Sequence, residues 1–290
     1  MSLASHFQDS FGLSFELFPP KTDAGLTSLF EHVSCLDAFS PSFYTCTYGA
    51  GGSTQGKTLE ILKTVKQKFH RPVASHLTCV GATVDQLRTY LQSALDGGID
   101  HLVALRGDPP QGQEAFQAVD GGLHYANELV SLIRSEFPQF GVAVAGYPEV
   151  HQEAPDAETD LQNLKRKVDA GADIVVTQLF YENQDFYSFQ DRYHQIGITR
   201  PLVPGLLPVT NLAQIQRITS LCKAKLPQAF VDRLAEKDDA DWQFKVGVEF
   251  AIAQVEDLLA HGIPGIHFYV LNKSQATARI LEAVDLPTSP

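Results

Sequence analysis

A single carboxyl group lies inside an apolar run near the start of the sequence. Glu16 is flanked by Phe15 and Leu17, and strand alternation would place Ser14, Glu16 and Phe18 on one face. Because a carboxylate among aromatic side chains is costly to ionise, the pattern predicts a raised pKa and a general acid that works near neutral pH. The alternative is a buried glutamate satisfied by an arginine or a backbone amide, and the residues alone leave both interpretations open.

A second polar group follows an apolar run in the segment Arg106-Gly107-Asp108-Pro109-Pro110. Gly107 would let the backbone approach a ligand closely, and the prolines would end the strand and stiffen the turn. A simple loop with a surface ion pair explains the same residues equally well.

One helical segment carries a third group, Asp160, Asn163, Arg166 and Lys167, at spacings of three and four residues. Two cations beside two hydrogen-bonding side chains suit a phosphate and a ribose. A solvated charged face accounts for them as well, and the pattern by itself favours that explanation.

Histidines and cysteines do not form a metal-binding motif, so we predict no metal site. His76 and His151 have no second ligand at metal spacing, and are expected to lie in the core or against a cofactor. No G-x-G-x-x-G follows the first strand and no Walker A motif is present, so a bound nucleotide would have to use other loops. The four cysteines are scattered without a CxxC pair, as expected for free thiols in a reducing compartment: Cys35, Cys46, Cys79 and Cys222.

The composition limits the classes of function. The chain has 290 residues, 44% of them hydrophobic, and a net charge of −12. This charge argues against general nucleic-acid binding, although a local pocket of cations and helix N-termini would still accept a small anion. No apolar run approaches the roughly 20 residues of a membrane span, and no secretory signal is visible. We therefore expect a cytoplasmic protein without membrane contact.

Eight strand-like runs alternate with amphipathic helical segments, which predicts parallel strands joined by right-handed crossovers. Eight units favour one (β/α)8 barrel over residues 1–290, with a doubly wound open sheet as the main alternative. An extra helical segment at Lys223–Trp242 precedes a long helix near Asp241–His261. The runs are Leu13–Phe18, Ser42–Thr47, Pro72–Cys79, His101–Leu105, Val142–Tyr147, Asp173–Phe180, Pro201–Leu207 and Gly265–Leu271.

Polar residues stand at the ends of these runs, where barrel enzymes carry their active sites. Eight short motifs contain many of them, in this order: Phe15-Glu16-Leu17-Phe18-Pro19-Pro20, Thr47-Tyr48-Gly49-Ala50, His76-Leu77-Thr78-Cys79, Leu105-Arg106-Gly107-Asp108, Tyr147-Pro148-Glu149-Val150-His151, Asn163-Leu164-Lys165-Arg166-Lys167-Val168-Asp169-Ala170-Gly171-Ala172, Thr177-Gln178 and Phe268-Tyr269-Val270-Leu271-Asn272. Together they cover almost the whole chain and resemble methylenetetrahydrofolate reductases of the short bacterial type.

The resemblance implies a (β/α)8 barrel with non-covalent FAD that reduces 5,10-methylenetetrahydrofolate to 5-methyltetrahydrofolate, in one-carbon metabolism and methionine biosynthesis. It implies a ping-pong mechanism in which NADH or NADPH and the folate use one flavin face in turn, in a homo-oligomer. By position, Glu16 resembles the acid that opens the methylene bridge. Asp108 resembles a residue that tunes flavin and pterin, and Gln178 one that contacts both substrates.

The resemblance also implies two sets of binding residues. The FAD contacts would be Tyr48, Ala50, His76, Arg106, Gly107, Asp108, Ala126, Tyr147, His151, Ala154, Asp160, Asn163, Arg166 and Lys167. The substrate contacts would be Thr47, Gln178, Gln214 and Lys273.

Three positions depart from the family pattern. Lys273 replaces an arginine, so a bidentate hydrogen-bonded contact with the folate carboxylate would be replaced by a contact with a single ammonium charge. Ile218 stands where some relatives have an aromatic residue against the nicotinamide dinucleotide, which leaves the choice of NADH or NADPH open. Ala145-Gly146 is smaller than the pattern and leaves space near the flavin. Because the sequence stops soon after the barrel, no regulatory domain is expected.

Two other functions compete with the reductase. A barrel lyase or aldolase would need a Schiff-base lysine pointing inward from a strand, and the strand-like runs contain none. A non-catalytic folate- or flavin-binding barrel would keep the cofactor residues but would lack the acid. The presence of Glu16 argues against this alternative.

Overall fold

Parallel strands form a closed barrel in the computed structural model, which describes residues 2–48, 55–109 and 116–287. The hydrogen-bonded order is β7-β6-β5-β4-β3-β2-β1-β9-β8. Only Pro204 separates β7 from β8, so these two pieces are halves of one interrupted seventh strand and the ladder closes on itself. The strands are β1 Gly12–Leu17, β2 Phe43–Cys46, β3 Val73–Thr78, β4 His101–Leu105, β5 Gly141–Gly146, β6 Ile174–Thr177, β7 Leu202–Val203, β8 Gly205–Leu206 and β9 Gly265–Tyr269.

Helices surround the barrel and bury their apolar faces against the outer side of the strands. They are α1 Ser5–Gln8, α2 Asp23–Asp37, α3 Gln55–Phe69, α4 Val84–Asp96, α5 Ala126–Glu136, α6 Ala157–Asp169, α7 Asn183–Gln195, α8 Leu212–Cys222, α9 Gln228–Ala235, α10 Ala240–Ala260 and α11 Gln275–Ala283. The barrel class is confirmed, and α9 is the extra helix that the sequence predicts before the long helix α10.

The amino-terminal end of the barrel is closed by an apolar plug. Side chains from α1 and the residues before it pack against the inward-facing residues of the strands. The plug and the layer that it contacts comprise Leu3, Ala4, Phe7, Phe43, Ala74, Val103, Ala143, Ile174 and Val203. Gly12 and Gly265 are paired across β1 and β9, and a side chain at Gly12 would overlap the Phe7 ring. Glycine is therefore required where the first and last strands meet beneath the plug.

The next inward layer is polar. Strand alternation turns Phe15 and Leu17 outward into the helix-covered core, whereas Ser14 and Glu16 face the barrel interior, as predicted. Strand register places Glu16 beside Thr45 and Tyr269, and Ser14 beside His267. Polar groups from the first, second and last strands are thereby brought together above an apolar floor.

Within the described ranges, no helix has the length and apolarity needed to cross a membrane.

Candidate active site

A cavity of about 1170 Å³ opens at the carboxyl ends of the strands. It is lined by residues that the sequence groups into three separate sites, so the structure brings these groups into one place. The predicted residues on its wall are Glu16, His76, Arg106, Gly107, Asp108, Ala126, Tyr147, His151, Ala154, Asp160, Asn163, Arg166, Lys167 and Gln178.

Glu16 lies at the base of this cavity between two imidazoles. Its Oε2 is 3.1 Å from Nε2 of His76 and 3.8 Å from Nε2 of His267. The other ring nitrogen of His267, Nδ1, lies 2.8 Å from the Ser14 hydroxyl. Ser14, His267, Glu16 and His76 thus form a cluster of polar groups at the base of the cavity, which we call the acid network.

The acid network sets the ionisation of Glu16. Burial of the carboxylate is the largest single influence and would raise its pKa, but the charge and hydrogen bonding of His76 and His267 together outweigh burial and lower the pKa to about 2. The raised pKa predicted from the sequence is therefore wrong for this geometry. The physical reason is that a strand run shows its own apolar neighbours but not the imidazoles that other strands place opposite it.

Arg106 is held at the wall of the cavity by a partner that the sequence does not single out. Its two terminal nitrogens donate to the two carboxylate oxygens of Glu153, and both hydrogen bonds are 2.6 Å long. The Arg106 guanidinium also lies 4.9 Å from the centre of the Phe116 ring. Gly107 has a φ of +88°, and a side chain there would meet Val80 at 2.7 Å. The turn thus needs glycine, and the exposed Asp108 follows it on the cavity wall.

The predicted helical face of α6 also points into the cavity. Half-buried Lys167 donates to the backbone carbonyl of Ala145, and it forms no salt bridge with any residue that the structure describes. Burial lowers its pKa to about 8, although Asp160 partly opposes the shift. Asp160 itself accepts a hydrogen bond from the backbone N–H of His151 at 3.0 Å. An unpaired, partly desolvated cation on a cavity wall favours an anionic ligand over a solvated face.

The turn after β5 completes this wall. The rings of Tyr147 and His151 meet edge to face with their centres 4.6 Å apart, and the Lys167 ammonium lies 5.7 Å from the centre of the Tyr147 ring. Across the cavity, α8 contributes Ile218. Among the described residues, no group of three His, Cys, Asp or Glu side chains is arranged to hold a metal.

The family model for methylenetetrahydrofolate reductase matches residues 2–285. The chain belongs to the methylenetetrahydrofolate reductase family. Methylenetetrahydrofolate reductase (NADH) 1 of Arabidopsis thaliana is 40% identical over 285 residues, which cover 94% of this chain and 48% of the plant protein. The 5,10-methylenetetrahydrofolate reductase of Escherichia coli (strain K12) is 38% identical over 275 residues, which cover 94% of this chain and 90% of the bacterial protein. The chain thus spans about half the length of the plant relatives that it matches.

A solved structure supports the fold of this family member. An uncharacterised protein from Clostridium thermocellum that binds two copies of 5-methyl-5,6,7,8-tetrahydrofolic acid aligns over 97% of both chains, with a TM-score of 0.65 and 15% identity. At that identity the likeness shows a shared barrel fold and nothing further.

Some residues expected from the reductase family lie away from the cavity wall. Tyr48 packs beside β3, where its hydroxyl accepts from the backbone N–H of Thr78 at 2.6 Å, and Thr47 also lies off the wall. Gln214 lines a small recess that shares Ile218 with the main cavity, and Lys273 is exposed. Ala50 lies outside the described residues. The binding and catalytic roles that the resemblance implies stay predictions, both for these five residues and for those on the cavity wall.

Three residues of this site are absent from the sequence-based interpretation or have a different place in it. His267 and Glu153 are not singled out there, and His76 is assigned to the flavin rather than to Glu16. The available signal for His267 is its position in β9, where strand alternation directs it inward beside Tyr269. Nothing local in the sequence connects Glu153 to Arg106, because they meet only when β4 and the β5–α6 loop become neighbours.

Proposed function

We propose that this chain reduces 5,10-methylenetetrahydrofolate to 5-methyltetrahydrofolate with NADH or NADPH, using non-covalently bound FAD in a ping-pong mechanism. The observation that carries the proposal is the position of the acid network at the base of a large cavity whose wall holds the unpaired Lys167. A proton source and an anion site in one cavity are what this reaction needs. Family membership supports the same assignment.

The residues on the wall fit FAD. Lys167 and Arg166 would bind the pyrophosphate through charge-assisted hydrogen bonds, with Asn163 beside them. Asp160 would accept from a ribose hydroxyl, and the segment Arg106–Asp108 would lie along the flavin. The chemistry that bound FAD would supply is hydride transfer between the nicotinamide and the one-carbon unit.

The acid network supplies the proton. In the methylene-bridged folate a nitrogen must leave the bridging carbon, and it leaves poorly unless it is protonated. The pKa of Glu16 lies well below neutral pH in the open site, so Glu16 has to gain a proton before it can act as the acid. A ligand that fills the cavity excludes water and makes the charged form of Glu16 more costly, which favours the protonated carboxyl. Gln178 on the cavity wall would orient both substrates.

A visible spectrum followed by turnover tests the proposal. The purified protein should be yellow, NADH or NADPH should bleach it anaerobically, and added methylenetetrahydrofolate should restore the colour while methyltetrahydrofolate forms. A colourless protein that cannot be loaded with FAD would overturn the flavin assignment. A yellow protein that binds folate without turnover would show a binding barrel instead of a reductase.

A further inference from the structure

Residues of the turn after β5 face two different parts of the molecule. Tyr147 and His151 line the cavity, whereas Glu149 between them faces the connection from α8 to α9. The backbone N–H of Lys225 donates to both Glu149 carboxylate oxygens, at 3.2 and 3.0 Å. The Glu149 side chain is only 9% exposed, so water competes little for this bond. A carboxylate of the cavity-lining turn therefore holds the backbone just beyond α8.

Helix α8 has a small apolar contact on its inner side. Ile215 and Thr219 are buried, and three further residues are partly buried against the cluster that contains Ile215, namely Leu212, Ile218 and Cys222. Leu221 is among the most exposed apolar residues of the described chain. At its amino-terminal end, Gln243 of α10 accepts from the backbone N–H of Leu212 at 3.0 Å. Its other end turns at Lys223, which has a φ of +60°, immediately before the bond to Glu149. Polar contacts at the two ends therefore act together with the apolar contact to hold this helix in place.

The position of α8 matters because this helix contributes to the wall of the same cavity as α6. Ile218 lines the cavity, and Gln214 lines the adjoining recess. We propose that Glu149 is a positioning residue that ties α8 to the flavin-facing turn and so sets the distance between the flavin and the substrate contacts of Ile218 and Gln214. This inference rests on the proposed function, and it names the residue that aligns the flavin-binding side of the cavity with the substrate-binding side.

The charges around Glu149 make the link sensitive to pH. The Lys225 ammonium lies 3.9 Å from both Glu149 and Asp185, and Glu182 and the Cys222 thiol complete the titratable surroundings. Burial is the main cause that raises the pKa of Glu149; the bond from Lys225 opposes this shift, and Asp185 and Glu182 add to it. Acidification therefore protonates Glu149 earlier than an exposed glutamate and weakens its hold on Lys225.

Substrate kinetics of Glu149→Ala and Glu149→Gln test the link. Because a hydrogen bond to a buried carboxylate is lost, Glu149→Ala should raise KM for methylenetetrahydrofolate about tenfold, with FAD content and kcat within about twofold. Glu149→Gln keeps an acceptor oxygen and should recover most of the loss. It should also lack the increase in KM that the parent enzyme shows at mildly acidic pH. Glu182→Gln, in the same acidic surroundings but without a bond to Lys225, should keep the parental KM at neutral pH.

Hydrogen exchange in the FAD-loaded protein without substrate provides a readout that does not need turnover. Peptides covering residues 212–226 should exchange about tenfold faster in Glu149→Ala than in the parent, with no change in β1 to β4. Unchanged exchange and unchanged KM in Glu149→Ala, or an equal rise of KM in Glu182→Gln, would overturn the link. If the parent has no reductase activity, the proposed function fails, while exchange still decides whether Glu149 holds α8.

Discussion

In the proposed reaction, the proton that opens the methylene bridge has to be available at neutral pH without making Glu16 a permanently neutral group. Two imidazoles within 4 Å of its carboxylate meet this requirement, because they stabilise the charge while the site is open. At the scale of single residues, the ionisation of Glu16 is therefore set by its neighbours in the acid network and not by its own strand alone.

Glu16→Gln separates the two half-reactions. It keeps the shape and a hydrogen-bonding group but removes the carboxyl proton, so folate reduction should fall by about 10²–10⁴-fold. Flavin reduction by NADH or NADPH needs no proton on a leaving nitrogen and should change by less than about tenfold. Anaerobic stopped-flow measurement of each half-reaction gives both rates. Equal loss in both would show that Glu16 only supports the flavin site, and full folate turnover would remove it from the mechanism.

Asp108→Asn tests the electrostatic role of the second carboxylate. A negative charge beside the flavin disfavours an anionic reduced form, so its removal should raise the reduction potential. Folate reduction should then slow, because a more easily reduced flavin is a poorer hydride donor. Spectroelectrochemical titration measures the potential, with Asp120→Asn as a control on an exposed carboxylate that does not line the cavity. A potential that stays constant or falls would place Asp108 away from the flavin.

The residue types of this site are visible in the sequence, but their electrostatics are not. Glu16 stands out because it interrupts an apolar run, and Gly107 because a turn follows β4. The direction of the Glu16 pKa shift depends on His76 and His267, which arrive from β3 and β9. A local sequence pattern indicates that a side chain will be buried and desolvated. The partners that offset the cost of desolvation come from other strands and are known only once the barrel is closed.

Among the elements, α6 shows most clearly how position resolves an ambiguous pattern. The same four polar residues would suit a solvated face, yet the helix packs beside β5 so that Lys167 reaches the backbone of Ala145. Lys165 on the same helix forms an exposed pair with Asp169. One helix therefore presents cations both to the cavity and to solvent.

The double variant Arg166→Ala/Lys167→Ala tests the cavity-facing cations. Loss of two charge-assisted hydrogen bonds should weaken FAD binding by about 100-fold or more. Unfolding of the apoprotein in urea should change much less, since Lys167 has no carboxylate partner among the described residues and Arg166 is exposed. Fluorescence titration with FAD measures the affinity, and Lys165→Ala is the matched control. Retention of FAD at parental affinity would show that the pyrophosphate lies elsewhere.

Element types follow well from the sequence because alternation and amphipathic spacing are local properties. The predicted run His101–Leu105 matches β4 at both ends. The interruption of the seventh strand was not predicted, although Pro204 provides its cause: it has no N–H to give to the ladder. The closure of the barrel decides which face of each helix lines the cavity. The residue pattern of one helix or strand does not contain that information.

Across the whole molecule, the polar and apolar ends of the barrel have different sensitivities to acid. His101 is 3% exposed beneath the polar layer, where its ring meets His6 and Phe43 edge to face. Burial is the main cause that lowers its pKa to about 4, with His6 adding to the shift and Asp100 and Asp173 opposing it. The floor therefore holds a histidine that must stay neutral for the plug to pack.

Stability should consequently fall on acidification. The unfolded chain binds a proton to His101 at a higher pH than the folded chain, so the stabilisation is complete above the ordinary pKa of 6.5 and is lost as pH falls toward about 4. The full difference is about 3 kcal/mol. Urea unfolding at pH 7 and pH 4.5 should show a smaller pH-dependent loss in His101→Leu than in the parent. His194→Leu, at an exposed site, should keep the parental dependence, and an unchanged slope in His101→Leu would contradict this account.

The seam between β1 and β9 joins the first and last strands of the chain, and it also joins the groups that carry the chemistry. Ser14 and His267 are 253 positions apart and meet only there. A nascent chain cannot assemble its proton-handling groups until β9 has left the ribosome, and such long-range pairing is slow to form. Synthesis that stops before β9 thus yields a product that lacks His267 and with it the complete acid network, even if α6 is already folded.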